Sequence, residues 1–210
     1  MNHVVFDIET GPLPIDRLKE ILPGFDPQSI PHPGEFDPKS VKTGNLKDQI
    51  KIVEKIEQAR EKHAEQVAGY EQAIQSGESN HWLEIQSKAA LSAITGQVLA
   101  IGYKSANSLK IVCVDEVGED GTEAVEKDLL VSFWSCFQSL RKADRLLVGF
   151  NSKDFDLPFI AQRSRILGVA VPRTAIKQNR FLDETFLDLR DVWGFGAYKP
   201  SGSLDVICKA

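Results

Sequence analysis

The order of strand-like and helix-like segments constrains the fold more than any other feature of this sequence. Alternation of apolar and polar residues predicts strands, and apolar residues three or four apart predict helices. Strands are predicted at 4–10, 97–105, 109–117, 146–151 and 185–192, and helices at 46–75, 81–90, 126–143, 156–167 and from about 203. A short turn at Asn107-Ser108 predicts a hairpin, and strand-helix-strand crossovers predict parallel neighbours. The sequence therefore predicts a mixed α/β sheet flanked by helices.

A long excursion separates the first strand from the second. Residues 11–45 hold seven of the ten prolines, which predicts irregular chain apart from a helical turn at 15–21. The amphipathic helix at 46–75 follows, and a stop is predicted at 76–80. We interpret about 38–90 as a helical insertion within a single domain of residues 1–210. Two roles stay open for the 46–75 helix: a scaffold that covers the sheet, or an arm that guides the substrate or contacts a protein partner or a second copy.

Composition excludes several classes of protein. The 210 residues carry a net charge of −5 and no apolar run long enough for a membrane span or a secretory leader, so we expect a cytoplasmic protein with no membrane contact. Three cysteines and four scattered histidines lack disulfide or zinc-site spacing. Residues 1–140 carry 13 Lys and Arg against 22 acids, whereas residues 141–199 carry 11 against 7. The later segment could therefore hold a polyanion locally, unless the difference is ordinary fluctuation.

The first strand carries two acids on one face. Asp7 and Glu9 are two residues apart in Phe6-Asp7-Ile8-Glu9-Thr10, so both carboxylates project to the same side. Adjacent carboxylates repel unless a cation lies between them, and oxygen ligands without thiolate or imidazole favour Mg²⁺ or Mn²⁺. The alternative is an edge strand with a solvated acidic face.

A second acidic segment follows the fourth strand. In 149–159 the strand runs into a helix that starts at Asp156. One interpretation is helix capping by Asp154 or Asp156. The other is a third metal-binding carboxylate, because a parallel strand beside the first would bring Asp156 to the same sheet edge as Asp7 and Glu9.

These motifs resemble the DEDD superfamily of 3′–5′ exonucleases, which have the ribonuclease H-like fold. FDIET is similar to its first motif and NSKDFD to its second, and LDVICK is similar to its S-L-D-x-L-C-K segment. The match is closest to stand-alone relatives of the proofreading domain of family-B DNA polymerases. The resemblance implies a metal-dependent exonuclease in which Asp7, Glu9 and Asp156 bind two Mg²⁺ or Mn²⁺ ions.

The resemblance also implies how a nucleic-acid strand is held. Asn151 and Phe155 would shape the site, and Thr10 and Gly11 would line the pocket for the terminal nucleotide. The expected substrate is a single-stranded 3′ end, with DNA favoured over RNA. From their charge alone, Lys153 and Arg163 are candidates to neutralise backbone phosphates, or they are ordinary solvated helix charges.

The superfamily pattern includes a fourth acid in a third motif, Y-x-x-x-D or H-x-x-x-x-D, after the S-L-D segment. The sequence ends at Ala210 before such a motif, so we expect a domain truncated at its C-terminal end, with weak or no turnover in this 210-residue form.

Two other functions are considered. D-x-E-x-T after an apolar strand also resembles the nucleophile motif of haloacid-dehalogenase-like phosphatases, in which Asp7 would form a phosphoaspartate. That family has Asp at the position of Glu9. Membership of it would also not explain the second acidic segment, 149–159. A non-catalytic nucleic-acid-binding or interaction module on the same scaffold is the other alternative.

Overall fold

The computed structural model describes residues 3–42, 49–113, 121–175, 183–195, 197 and 202–209. The strands are β1 (His3–Pro12), β2 (Gly96–Lys104), β3 (Leu109–Cys113), β4 (Leu146–Gly149) and β5 (Phe186–Asp188). The α-helices are α1 (Ile15–Ile21), α2 (Gln49–Ala89), α3 (Gly121–Lys142), α4 (Asp156–Ile166), α5 (Leu189–Gly194) and α6 (Leu204–Lys209). The predicted mixed α/β sheet with a long helix after the first strand is confirmed, and it is consistent with a ribonuclease H-like fold.

The five strands form one sheet in the order β3-β2-β1-β4-β5. The β1-β2 and β2-β3 pairs are antiparallel, and β4 is parallel to both β1 and β5. On β1, the residues that pair with β4 are His3, Val4 and Val5. The rest of β1 therefore continues past the end of β4. The chain that leaves β4 therefore turns into α4 beside the second half of β1.

Alternation along β1 divides the two faces of the sheet. Phe6 and Ile8 are buried in the hydrophobic core, whereas Asp7 and Glu9 are exposed on the other face. The apolar side of α3 also packs into the core. Phe137 of α3 stacks on Phe186 of β5, with ring centroids 4.7 Å apart. The Phe6 ring of β1 packs against Phe133 of α3, with ring centroids 5.5 Å apart, so α3 lies on the core face of the sheet and the acidic face of β1 is exposed on the other side.

The chain divides into two compact units. One unit joins Met1–Leu13 to Lys88–Ala210, and the other is Pro14–Ser87. Within the described residues, no helix is both long enough and apolar enough to cross a membrane.

The predicted helix stop at 76–80 is wrong, since α2 runs through it without a break. Gly77 lies against the ring of Phe25, where an added Cβ would come within 2.7 Å of Cζ. The Ser79 hydroxyl donates to the Gln75 carbonyl inside the helix. Local turn propensity is therefore overridden by a contact with a distant residue.

The predicted strand at 185–192 is also too long. β5 ends at Asp188, whose carboxylate accepts the backbone N–H of Arg190 and so starts α5. The predicted helical turn at 15–21 is confirmed as α1. Residues 46–48 of the predicted arm and 114–117 of the predicted third strand lie outside the described residues, as do Lys177, Arg180 and Lys199 of the basic segment.

Candidate functional site

Asp7 and Glu9 stand on the exposed face of β1, as their spacing predicts. Asp7 is opposite Gly102 of β2 and Glu9 is opposite Ala100. The register shifts between Glu9 and Thr10, so a bulge follows the second acid. The two carboxylates therefore lie at the point where the regular strand ends.

Asp156 is brought next to β1. It is the first residue of α4 and only 6% exposed. Burial, the largest cause, and the negative charge of Asp7 together raise its pKa to about 6, with a smaller contribution from Asp188. Backbone N–H groups of Asp156 itself and of Ile8 act in the opposite direction. The Asp156 carboxyl therefore lies beside the strand segment between Asp7 and Glu9, close enough to feel the charge of Asp7.

The loop before α4 is held by an acid that the sequence reading did not assign a role. Asp188, at the end of β5, is 2% exposed. One of its carboxylate oxygens accepts the backbone N–H of Asn151 at 2.8 Å, and the other accepts that of Lys153 at 2.9 Å. Asn151 has a φ of 60°, which this pair of hydrogen bonds helps to maintain. Sequence pattern does not reveal this role, because strand-like alternation continues past Asp188 and its hydrogen-bond partners on this loop lie 35 and 37 positions away along the chain.

Gly149 allows the same loop to turn tightly. A Cβ at this position would come within 2.6 Å of Ser152, so a larger residue would push the loop away from the end of β4. Asp188 and Gly149 together fix the start of α4 and hence the place of Asp156.

Two predicted substrate residues are tied into the protein on the β1 side. The Thr10 hydroxyl donates to the Ala90 carbonyl at 2.8 Å. Gly11 is buried, and a Cβ there would come within 2.6 Å of the Leu99 side chain. Both residues lie next to the acidic end of β1, and their contact with a nucleotide remains a prediction.

Three more predicted residues lie on the loop and on the first turn of α4. The Asn151 amide oxygen accepts from Arg190 at 2.7 Å. Phe155 packs against the core, with its ring centroid 5.6 Å from that of Phe159. The Lys153 ammonium group is paired with Asp191 at 2.8 Å, and both side chains are partly exposed. Of these, Lys153 has the solvent access that contact with a phosphate requires.

Arg163 is not available to a phosphate, so its predicted role is corrected. It is 3% exposed and makes a two-point ion pair with the fully buried carboxylate of Glu126. A third donor reaches the Ala93 carbonyl at 3.2 Å, and Glu126 also accepts the Val98 N–H. These bonds join α4 and α3 to the segment around β2, so Arg163 has a structural role.

A divalent cation at this edge of the sheet would need several oxygen ligands. Within the described residues, no group of three or more Asp, Glu, His or Cys side chains could hold a metal ion by itself. The Asp156 carboxyl is close enough to Asp7 for the charge of Asp7 to raise its pKa. Mg²⁺ commonly takes one or two carboxylates and fills its other positions with water and substrate phosphate. The Asp7 and Asp156 pair fits that set of oxygen donors.

The later part of the chain matches a known protein family. Residues 90–210 match the family described as predicted 3′–5′ exonucleases related to the exonuclease domain of PolB. The matched segment contains Asp156 and Asp188 and leaves out β1. A search of curated proteins gives no match to the chain. Because the matched segment covers more than half of the 210 residues, the chain belongs to this family of predicted 3′–5′ exonucleases.

Proposed function

We propose that the protein removes nucleotides from the 3′ end of single-stranded DNA in a reaction that depends on Mg²⁺ or Mn²⁺. The observation that carries this proposal is that the buried Asp156 carboxyl lies close enough to Asp7 to feel its charge. The two acids lie at the edge of the sheet where β1 continues past the end of β4. Two carboxylates in such a position are costly without a cation, and they become useful when one binds. The family match supports a nuclease, and the site supports the class of cofactor.

Asp7, Glu9 and Asp156 have separate tasks in this proposal. Asp7 and Asp156 provide the oxygen ligands, and Glu9, exposed two residues further along β1, completes the set once substrate and cation are bound. The bound metal would lower the pKa of the attacking water and stabilise the leaving 3′ oxygen. Backbone N–H groups at Ile8 and Asp156 hold the Asp156 carboxyl in place before either partner arrives.

The DNA strand would lie along the exposed side of the loop and of β1. Lys153 is the described cation on this loop with an exposed side chain, and it can exchange Asp191 for a backbone phosphate at small cost, because an exposed ion pair contributes little. The backbone at Thr10 and Gly11 borders the acidic end of β1, where a terminal nucleotide would be seated. The preference for DNA over RNA is part of the proposal.

A polarity assay tests the proposal. Because turnover of the 210-residue form is expected to be weak, a single-stranded oligonucleotide labelled at its 5′ end should give a ladder of shortened products only slowly in Mn²⁺, whereas a label at the 3′ end should be released first as a mononucleotide. Asp7→Asn or Glu9→Gln should reduce the rate by at least about 100-fold, because each removes a charged ligand. Asp154→Asn is the matched control, since Asp154 is exposed beside Asp156, and it should retain the rate.

Two outcomes would contradict this function. Internal fragments would indicate an endonuclease, and cleavage unaffected by the Asp7 and Glu9 substitutions would place the chemistry elsewhere. Oligonucleotide binding that survives Asp7→Ala and needs no divalent cation, without any shortening, would instead indicate a non-catalytic binding module.

A further inference from the structure

A cavity with basic and hydroxyl groups lies on the core side of the sheet, apart from the acidic site. Its volume is about 330 Å³, and it is bounded by β1, β2, β3 and α3. Val4 lines it at the beginning of β1, on the face opposite to that of Asp7. The polar side chains used below are Tyr103, Ser105, Ser108, Lys110, Ser132 and Arg145.

Two cations, Lys110 and Arg145, converge on this cavity, and among the described residues no acid lines it. Arg145 also borders a second cavity, which is lined by the acids Asp144, Asp183 and Glu184. Lys110 extends from β3 directly opposite Tyr103 of β2, and Arg145 comes from the residue before β4. Neither forms an ion pair with another described residue. Both positive charges lower the pKa of the Cys136 thiol, against the larger effect of burial, which raises it. Lys110 and Arg145 therefore act on the same small volume.

The hydroxyl groups of this cavity supply donors. The Tyr103 hydroxyl is buried without a hydrogen-bond partner among the described residues, and burial raises the pKa of Tyr103, so it stays protonated. Leaving such a donor unpaired costs free energy. Ser105 and Ser108 are joined by a hydrogen bond of 2.7 Å, and one of these two hydroxyls keeps its proton for another acceptor.

We propose that this cavity binds the phosphate group of a small molecule. A phosphate presents several strong acceptor oxygens, which match one ammonium, one guanidinium and the hydroxyl donors. The volume exceeds that of a phosphate alone, and Val4 and the Tyr103 ring add apolar surface, so a phosphate monoester with a small organic group fits better than the free ion. This site is independent of the proposed nuclease reaction, because it lies on the other face of β1.

A lysine on an edge strand, such as the exposed Lys110, also discourages pairing between sheets. That role explains Lys110 on β3 but does not explain why Arg145 and an unpaired Tyr103 hydroxyl meet it in the same cavity. The two explanations differ in what they predict for ligand binding.

Calorimetric titration of the full chain with glycerol 3-phosphate and with inorganic phosphate, at constant ionic strength, tests the proposal. We expect saturable binding of both, tighter for the monoester. Arg145→Gln and Lys110→Gln should each weaken it at least about tenfold, as loss of a charged hydrogen bond predicts, and Tyr103→Phe about fivefold. Arg141→Gln is the matched control, since Arg141 does not line the proposed phosphate cavity and is paired with Asp183, and it should retain the affinity.

Alkylation of the unmodified protein gives a second readout that needs no variant. Cys136 lines the cavity, whereas Cys208 is exposed outside it. Glycerol 3-phosphate should slow reaction of Cys136 with N-ethylmaleimide and leave Cys208 unchanged. The absence of saturable binding up to about 20 mM ligand, well beyond the millimolar range of weak specific sites, would overturn the proposal. Equal weakening by Arg141→Gln, or equal protection of both thiols, would also overturn it.

Discussion

When no cation is bound, ionisation of the Asp156 carboxyl lowers the stability of the folded protein. Because its pKa of about 6 lies above the ordinary value of 3.8, the folded state holds this proton more tightly than the unfolded state. Its contribution to stability is therefore greatest at low pH and is lost as the pH rises from about 4 through about 6.

Asp156→Asn removes this loss. In EDTA at about pH 8, the variant should be more stable than the wild type by about 1 kcal/mol, a value reduced for partial solvent screening, and the difference should vanish near pH 4. Urea unfolding at both pH values measures it. Asp154→Asn should show no such pH-dependent gain, and a wild type that is the more stable at high pH would contradict the expectation.

Asp188 contributes through its hydrogen bonds. Its carboxylate accepts three backbone N–H groups, from Asn151, Lys153 and Arg190. Asp188→Ala should lower the free energy of unfolding by about 3 kcal/mol, because it leaves buried donors without a partner. Asp191→Ala, which removes only the exposed pair with Lys153, should cost less than about 1 kcal/mol. Similar losses in the two variants would show that Asp188 does not hold the loop.

At the residue scale, the sequence located the acids better than the cations. The positions of Asp7, Glu9 and Asp156 on a strand and at a helix start are predictable because these elements have recognisable local patterns. The structure places the Asp156 carboxyl within reach of the charge of Asp7, and the shared metal site remains a prediction. Arg163 was misassigned because its partner Glu126 is 37 positions away along the chain, and nothing near Arg163 shows that it is buried. The role of Asp188 likewise depends on a parallel neighbour of β4.

At the scale of elements, α2 shows how one contact overrides a local signal. Gly69 and Gly77 lie in the same helix. A Cβ at Gly77 would lie within 4 Å of Phe25, whereas a Cβ at Gly69 would have no neighbour within 4 Å among the residues that the structure describes. Gly69→Ala should stabilise the protein by up to about 1 kcal/mol, as for an open helical site. The free energy of unfolding of Gly77→Ala should be lower than that of Gly69→Ala by at least about 1 kcal/mol, because the new methyl group displaces the ring of Phe25. Thermal unfolding of the two variants measures the difference, and equal gains would contradict the contact.

The hairpin of β2 and β3 and the helices α3 and α4 followed from periodicity because each buries one regular face. The end of β5 did not follow from periodicity. The residues after Asp188 keep strand-like alternation, but they form α5 because the Asp188 carboxylate caps the start of that helix.

At the scale of the whole molecule, the hydrophobic core is confined to one of the two compact units. Every buried residue of the core cluster belongs to Met1–Leu13 or Lys88–Ala210. The chain leaves and re-enters this unit at neighbouring positions, since the Leu13 N–H donates to the Thr95 carbonyl at 2.8 Å. The 14–87 segment therefore interrupts the sheet without supplying its core.

A variant in which a Gly-Ser linker of about ten residues replaces 14–87 should fold, since a flexible loop of that length closes at modest entropic cost. Its unfolding should stay cooperative, and fluorescence of the buried Trp134 should report the transition. A variant without a cooperative transition would show that the core depends on the helical segment.

Mn²⁺ binding tests most directly whether Asp7 and Asp156 form one site. Electron paramagnetic resonance counts free Mn²⁺ and gives the affinity whether or not the protein turns over substrate. The wild type should bind Mn²⁺ at a site that Asp7→Asn and Asp156→Asn each weaken at least about tenfold, because each removes a charged ligand, while Asp154→Asn binds like the wild type. Wild-type affinity in Asp156→Asn, or equal weakening by Asp154→Asn, would contradict a shared metal site at the end of β1.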